Sequence, residues 1–147
     1  MSVYNKVTRV RTELQKMNIN KSGTAPIGGR SFSYFELSDF LPATNMLFDN
    51  IGLSSAINID RDVAKLTIFC TEDGSHIDFS VPFAMAVLQG PAANNPVQCM
   101  GSSITYLTRY LWVTALNIVE PDTVDANIGY QKQAVQRSEP VRAPQEQ

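Results

Sequence analysis

An α+β fold is predicted for this chain of 147 residues: an N-terminal helix, a second helix, a three-stranded antiparallel meander, and a long C-terminal helix packed on the sheet, with a disordered tail. Three observations predict it. Apolar residues recur every three or four positions in residues 2–18, 39–51 and 96–118, the spacing of one helix face. Between the second and third of these lie three stretches with period two, separated by short acidic turns. After Glu120 all periodicity stops.

The first helix carries Val3, Val7, Val10, Leu14 and Met17 on one seam, with Lys6, Arg9, Glu13 and Lys16 lining another face at the same spacing. The stretch Lys21–Arg30, with three glycines and a proline, reads as a loop, and it lacks the spacing of a nucleotide-binding glycine motif. Ser31–Phe35 reads as a short extended lead into the second helix. That helix is expected to be capped by Ser38 or Asp39, to tolerate Pro42 near its first turn, and to end at Gly52.

The strands place Leu53, Ser55, Ile57 and Ile59, then Leu66, Ile68 and Cys70, then Ile77, Phe79, Val81 and Phe83 on one apolar face. Asp60-Arg61-Asp62 and Glu72-Asp73-Gly74 form the turns, so the sheet is an antiparallel meander whose apolar face needs a cover of helices. Ala92–Pro96 breaks the chain before the long helix. Residues 1–120 are therefore read as one domain. Residues 121–147, rich in proline and glutamine, read as a mostly disordered tail.

Several function classes are disfavoured at once. No run of apolar residues is long enough to cross a membrane, and Met1–Lys6 lacks the apolar core of a secretory signal. Cys70 and Cys99 read as reduced thiols. A single histidine, His76, rules out a multi-histidine metal site within one chain and reads as a strand surface residue. Asp60, Asp62, Glu72 and Asp73 read as solvated turn carboxylates. Glu120, Asp122 and Asp125 could hold Mg²⁺ but sit where the regular pattern ends. No clustered set of nucleophile, base and acid is present, so no enzyme activity is expected and no cofactor is assigned.

The net charge of −2 argues against coating duplex DNA by charge alone. Its distribution is uneven. Residues 1–31 hold six cations (Lys6, Arg9, Arg11, Lys16, Lys21, Arg30) against Glu13, a balance of +5, which leaves −7 on the other 116 residues. This asymmetry points to one basic face on an acidic body, with chance clustering on a solvated helix as the alternative.

The long helix is the most informative segment. Val97, Met100, Ile104, Leu107, Leu111, Ala115 and Ile118 make an apolar stripe. A second stripe holds Gln98, Ser102, Thr105 and Arg109, flanked by Tyr106 and Tyr110. Hydroxyls, an amide, a guanidinium and aromatic rings on one ridge suit a phosphate backbone and stacked bases. A core helix whose second face is merely solvated, with Tyr106 and Tyr110 packed on the sheet, is the alternative. Gly101 marks a place where another backbone or the nucleic acid comes close, or a helix–sheet contact.

Three stretches resemble the Erf (essential recombination function) family of phage single-strand annealing proteins: Met1–Lys16, Phe32–Pro42, and Asn95–Tyr110 followed by Glu120-Pro121-Asp122. In the third, Gln98, Gly101, Ser102, Thr105, Tyr106, Arg109 and Tyr110 match the family pattern, while Ser103 stands for its usual alanine and Thr108 for the first of two arginines. The likeness covers roughly residues 1–126. It implies a ring- or filament-forming homo-oligomer that binds single-stranded DNA and anneals complementary strands without nucleotide hydrolysis, in the cytoplasm of the bacterial host. It implies a phage exonuclease and a single-strand binding protein as partners. The order of elements also resembles the strand–strand–strand–helix core of eukaryotic annealing proteins, a likeness of fold alone. On these grounds Arg109, Arg30, Lys21, Arg9 and Lys16 are expected to contact phosphates, Gln98, Ser102 and Thr105 the backbone, and Tyr34, Tyr106 and Tyr110 the bases. A non-DNA-binding assembly protein, in which the helix faces serve only subunit packing, is the competing class.

Overall fold

The computed structural model describes residues 1–119 apart from positions 28, 87 and 89. The expected tail, and with it Glu120, Asp122 and Asp125, lies outside the described residues. Among the described residues the fold is α+β, with three helices, a three-stranded sheet and a two-stranded one. In chain order it runs α1 (Val3–Lys16), β1 (Gly23–Ile27), β2 (Arg30–Tyr34), α2 (Leu37–Ile51), β3 (Leu53–Ile59), β4 (Val63–Cys70), β5 (His76–Pro82), a 3₁₀ turn (Gly90–Asn94) and α3 (Pro96–Ala115).

The meander is as expected, in the order β3-β4-β5. Leu53 pairs with Cys70 and Ile68 with Ile77, which aligns the inward residues of all three strands on one face. On β4 that face is fully buried at Ala64, Leu66, Ile68 and Cys70. α1 adds Val3, Val7, Val10 and Leu14 to the same core, α2 adds Phe40 and Phe48, and α3 adds Leu107, Leu111, Trp112 and Ala115. Phe48 and Trp112 meet with ring centroids 5.8 Å apart, which links α2 to α3 above the sheet. Cys70 and Cys99 form no disulfide. His76 is exposed on β5, beside Phe69 at 6.0 Å.

Four local expectations need correction. Residues 23–34 are a β-hairpin, with Gly23 opposite Tyr34 and Ile27 opposite Arg30, where a loop and a short extended piece were expected. Pro26 is tolerated because each strand of a two-stranded ribbon has an unpaired edge. α2 begins at Leu37, so Asp39 is its third residue and not its cap. Its Oδ2 reaches back to the Glu36 N–H at 2.8 Å and also accepts from the Ser22 N–H at 3.0 Å, tying the hairpin base to the helix start. Pro42 consequently sits in the second turn and offers no N–H to the Ser38 carbonyl.

The other two corrections concern surfaces. Lys6 is buried rather than solvated; its ammonium pairs with Glu72 at 2.9 Å and lies 3.5 Å from the Gly52 carbonyl, so it is lost to any basic face. The apolar stripe of α3 is only half used. Leu107, Leu111 and Ala115 are buried, whereas Val97 is 79%, Met100 50% and Ile104 39% exposed. The buried residue in that first half is Ser103, whose hydroxyl accepts from the Ala86 N–H and donates to the Cys99 carbonyl, both at 2.7 Å. The segment after β5 is thereby fastened to α3.

Candidate nucleic-acid interface

A groove of about 900 Å³ runs between the start of α2 and the first half of α3. One wall is Tyr34 at the end of β2 with Glu36, Leu37 and Ser38 at the start of α2. Across it, α3 presents Gln98, Gly101, Ser102, Thr105, Tyr106 and Arg109, which recur at helical spacing and so share a face. Leu88, from the segment before α3, closes one end.

α3 is positioned by its own start. The Asn95 side chain accepts from the N–H groups of Val97 and Gln98 at 3.1 and 3.2 Å, and Pro96 occupies the first helical position. At the other end the Arg11 Nε donates to the Ala115 carbonyl at 2.9 Å, a cation on the negative end of the helix. Burial holds the Arg11 pKa below its ordinary value.

Arg109 connects the two walls. Its Nε donates to the Phe35 carbonyl at 2.6 Å, and its guanidinium lies over the Tyr34 ring at 4.5 Å and beside the Tyr110 ring at 5.9 Å. Tyr34 can lie in this place because its strand partner is Gly23, where any Cβ would run into the Tyr34 ring. Tyr106 and Tyr110 are 55% and 45% exposed, so neither packs in the core. Their hydroxyls are 3.0 Å apart and their rings 4.7 Å. The hydrogen bond to Tyr110, aided by burial, raises the Tyr106 pKa, although Arg109 opposes the shift.

Gly101 faces open space: no atom among the described residues would lie within 4 Å of a Cβ built there. A helix–sheet contact is therefore not its reason. The Thr105 hydroxyl donates to the Gly101 carbonyl at 3.1 Å, which leaves the oxygen of this groove-lining residue able to accept.

Six of the eleven expected site residues thus come together in one groove: Tyr34, Gln98, Ser102, Thr105, Tyr106 and Arg109. Tyr110 adjoins them through Arg109 and Tyr106. Lys21 stands 5.1 Å from the Phe35 ring and Arg30 is exposed on the hairpin, both outside the groove lining. Arg9 lines a separate cavity with Glu13, Leu47 and Asn50. Lys16 forms an ion pair with Glu13 at 2.9 Å. Sequence reasoning missed Glu36, Ser38 and Leu88. The capping signal around Asp39 was the available clue to Glu36, and nothing local announced Leu88.

Among the described residues no group of three or more His, Cys, Asp or Glu side chains could hold a metal ion, and no helix is long and apolar enough to cross a membrane. The fold and groove define a small α+β protein with an open, aromatic-lined channel of mixed polarity. The ERF superfamily model matches residues 3–147, and the chain belongs to that family of annealing proteins. No curated protein and no solved structure was found to match it.

Proposed function

We propose that this protein binds single-stranded DNA in the α2–α3 groove and anneals complementary strands in phage homologous recombination, without ATP, as a ring or filament. Family membership supports the annealing class. The observation that carries the residue-level reading is the convergence of Arg109, Tyr34, Tyr106 and the polar ridge of α3 on a single open groove. Annealing breaks no covalent bond, so it requires grip and presentation of bases, not general acid–base groups. Rings supply stacking surfaces, and Arg109 supplies charge. Lys21 just before the hairpin and Arg30 on it, with Arg9 and Lys16 on α1, extend the phosphate contacts beyond the groove.

One subunit offers few cations, so affinity arises from repetition along the strand. The exposed Val97, Met100 and Ile104 support the assembly half of this reading. They also favour the second reading, an oligomeric structural protein that does not bind DNA. The protein works in the cytoplasm of a bacterial host beside an exonuclease and a single-strand binding protein. The test mixes complementary oligonucleotides with the full chain, without ATP and with or without Mg²⁺. Duplex formation above the spontaneous rate is expected; its absence, with oligomers still present by mass measurement, establishes the structural reading instead.

A further inference from the structure

Resting on the reading of the groove as a single-strand site, we propose that it also reads a base. The Glu36 carboxylate accepts a hydrogen from the exocyclic amino group of a cytosine or adenine, so amino-bearing bases bind better than thymine. Among the described residues the groove lining holds one cation, Arg109, and one carboxylate, Glu36. A carboxylate repels phosphate and has no hydrogen to offer it, so what Glu36, the N-cap residue of α2, can add to a bound strand is an acceptor for a group that donates.

The Glu36 backbone is fixed at the start of α2, and its exposed carboxylate lies beside Tyr34. Its N–H is bonded to Asp39 at 2.8 Å, its carbonyl accepts from the Asp39 N–H at 3.0 Å, and its Oε1 lies 3.4 Å from the Tyr34 hydroxyl. A carboxylate has about four lone-pair positions, so these contacts leave it able to accept again. It also stands next to Tyr34, whose ring forms the Arg109-backed stacking wall.

The chemistry of base edges then selects the ligand. The amino groups of cytosine and adenine each carry two hydrogens, one used in pairing and one on the major-groove edge. A carboxylate that takes the second leaves the pairing edge open, as annealing demands. Thymine offers a carbonyl and a methyl on that edge, and guanine offers only acceptors. Both are turned away by the carboxylate's charge.

The experiment measures anisotropy of labelled oligo-dC and oligo-dT of equal length with the full chain at neutral pH. Both are weakly stacked pyrimidine strands, so stacking does not bias the comparison. Oligo-dC is expected to bind tighter by roughly three- to tenfold, the size of one charge-assisted hydrogen bond in an open groove. In Glu36→Gln the difference falls below about twofold, because an amide accepts from cytosine and donates to thymine alike. A second arm leaves the protein unaltered: oligonucleotides of N4,N4-dimethyldeoxycytidine, which lack the donor hydrogens, bind no tighter than oligo-dT. Equal binding of dC and dT, a preference undiminished in Glu36→Gln, or full affinity for the dimethyl strand each overturns base reading while leaving annealing intact. Failure of every strand to bind removes the annealing reading, and this inference with it.

Discussion

The Arg109 guanidinium lies 4.5 Å over the Tyr34 ring while its Nε bonds the Phe35 carbonyl at 2.6 Å, so a residue of the last helix is locked to the strand that precedes the second. Residues 34 and 109 are far apart in sequence, and this contact fixes how far apart the groove walls stand. A planar guanidinium can stack and donate at once; an ammonium cannot do both.

Arg109→Ala is expected to lower the annealing rate by about ten- to a hundredfold, the loss of one charge-assisted contact per subunit. Circular dichroism and mass should show a folded protein of unchanged oligomeric state. Annealing at the parent rate in that variant would reassign the site.

Phosphate contact predicts salt dependence. The logarithm of the observed binding constant for single strands should fall against the logarithm of salt with a slope of about −0.7 per phosphate neutralised. A flat response would show that cations do not grip the strand.

Gly101 gives a test in which stability and function separate. It is exposed within α3 with open space where its Cβ would be. Gly101→Ala should therefore stabilise the fold by about 0.5–1 kcal/mol, through helix propensity alone. The added methyl projects into the groove, so strand affinity should drop. Urea unfolding and anisotropy on the same sample read both changes.

Ser103→Ala should act in the opposite sense. Its hydroxyl is buried and serves the Ala86 N–H, and removal leaves that donor without its bond. A destabilisation of about 1–2 kcal/mol is expected in urea melts, with secondary structure retained.

Acid sensitivity follows from the hydrogen-bonded carboxylates. The Asp73 carboxylate is pulled down to about 2 by the Ser75 hydroxyl and N–H, and Asp39, Asp60 and Asp78 are likewise held below their ordinary 3.8 by hydrogen bonds. A depressed carboxylate binds fewer protons folded than unfolded, so its contribution is complete above the ordinary value. It is lost as pH falls from about 4 toward 2. Melting temperature should drop through that window, and Asp73→Asn should flatten the drop.

Much of the scaffold was legible because its signals are local. Leu66, Ile68 and Cys70 alternate, and Val3, Val7, Val10 and Leu14 step by three or four, so each announces both its element and its buried face. The hairpin was not, since Gly23, Pro26 and Gly29 dilute strand composition. The glycine pair between Ile27 and Arg30 was nevertheless a two-residue turn signal. The ridge Gln98-Ser102-Thr105-Arg109 was readable as one face of one helix. Its opposite wall was not, because no periodicity in α3 says that Tyr34 and Glu36 stand across from it. Charge misled in the same way: Lys6 counts in a composition but is spent on Glu72 inside the fold.

Because the groove walls come from stretches near residues 36 and 102, the channel exists only while the tertiary fold holds. An occupant touching both sides acts as a splint. Oligonucleotide should thus raise the denaturation midpoint in proportion to the logarithm of its concentration, making thermal shift a direct gauge of strand loading.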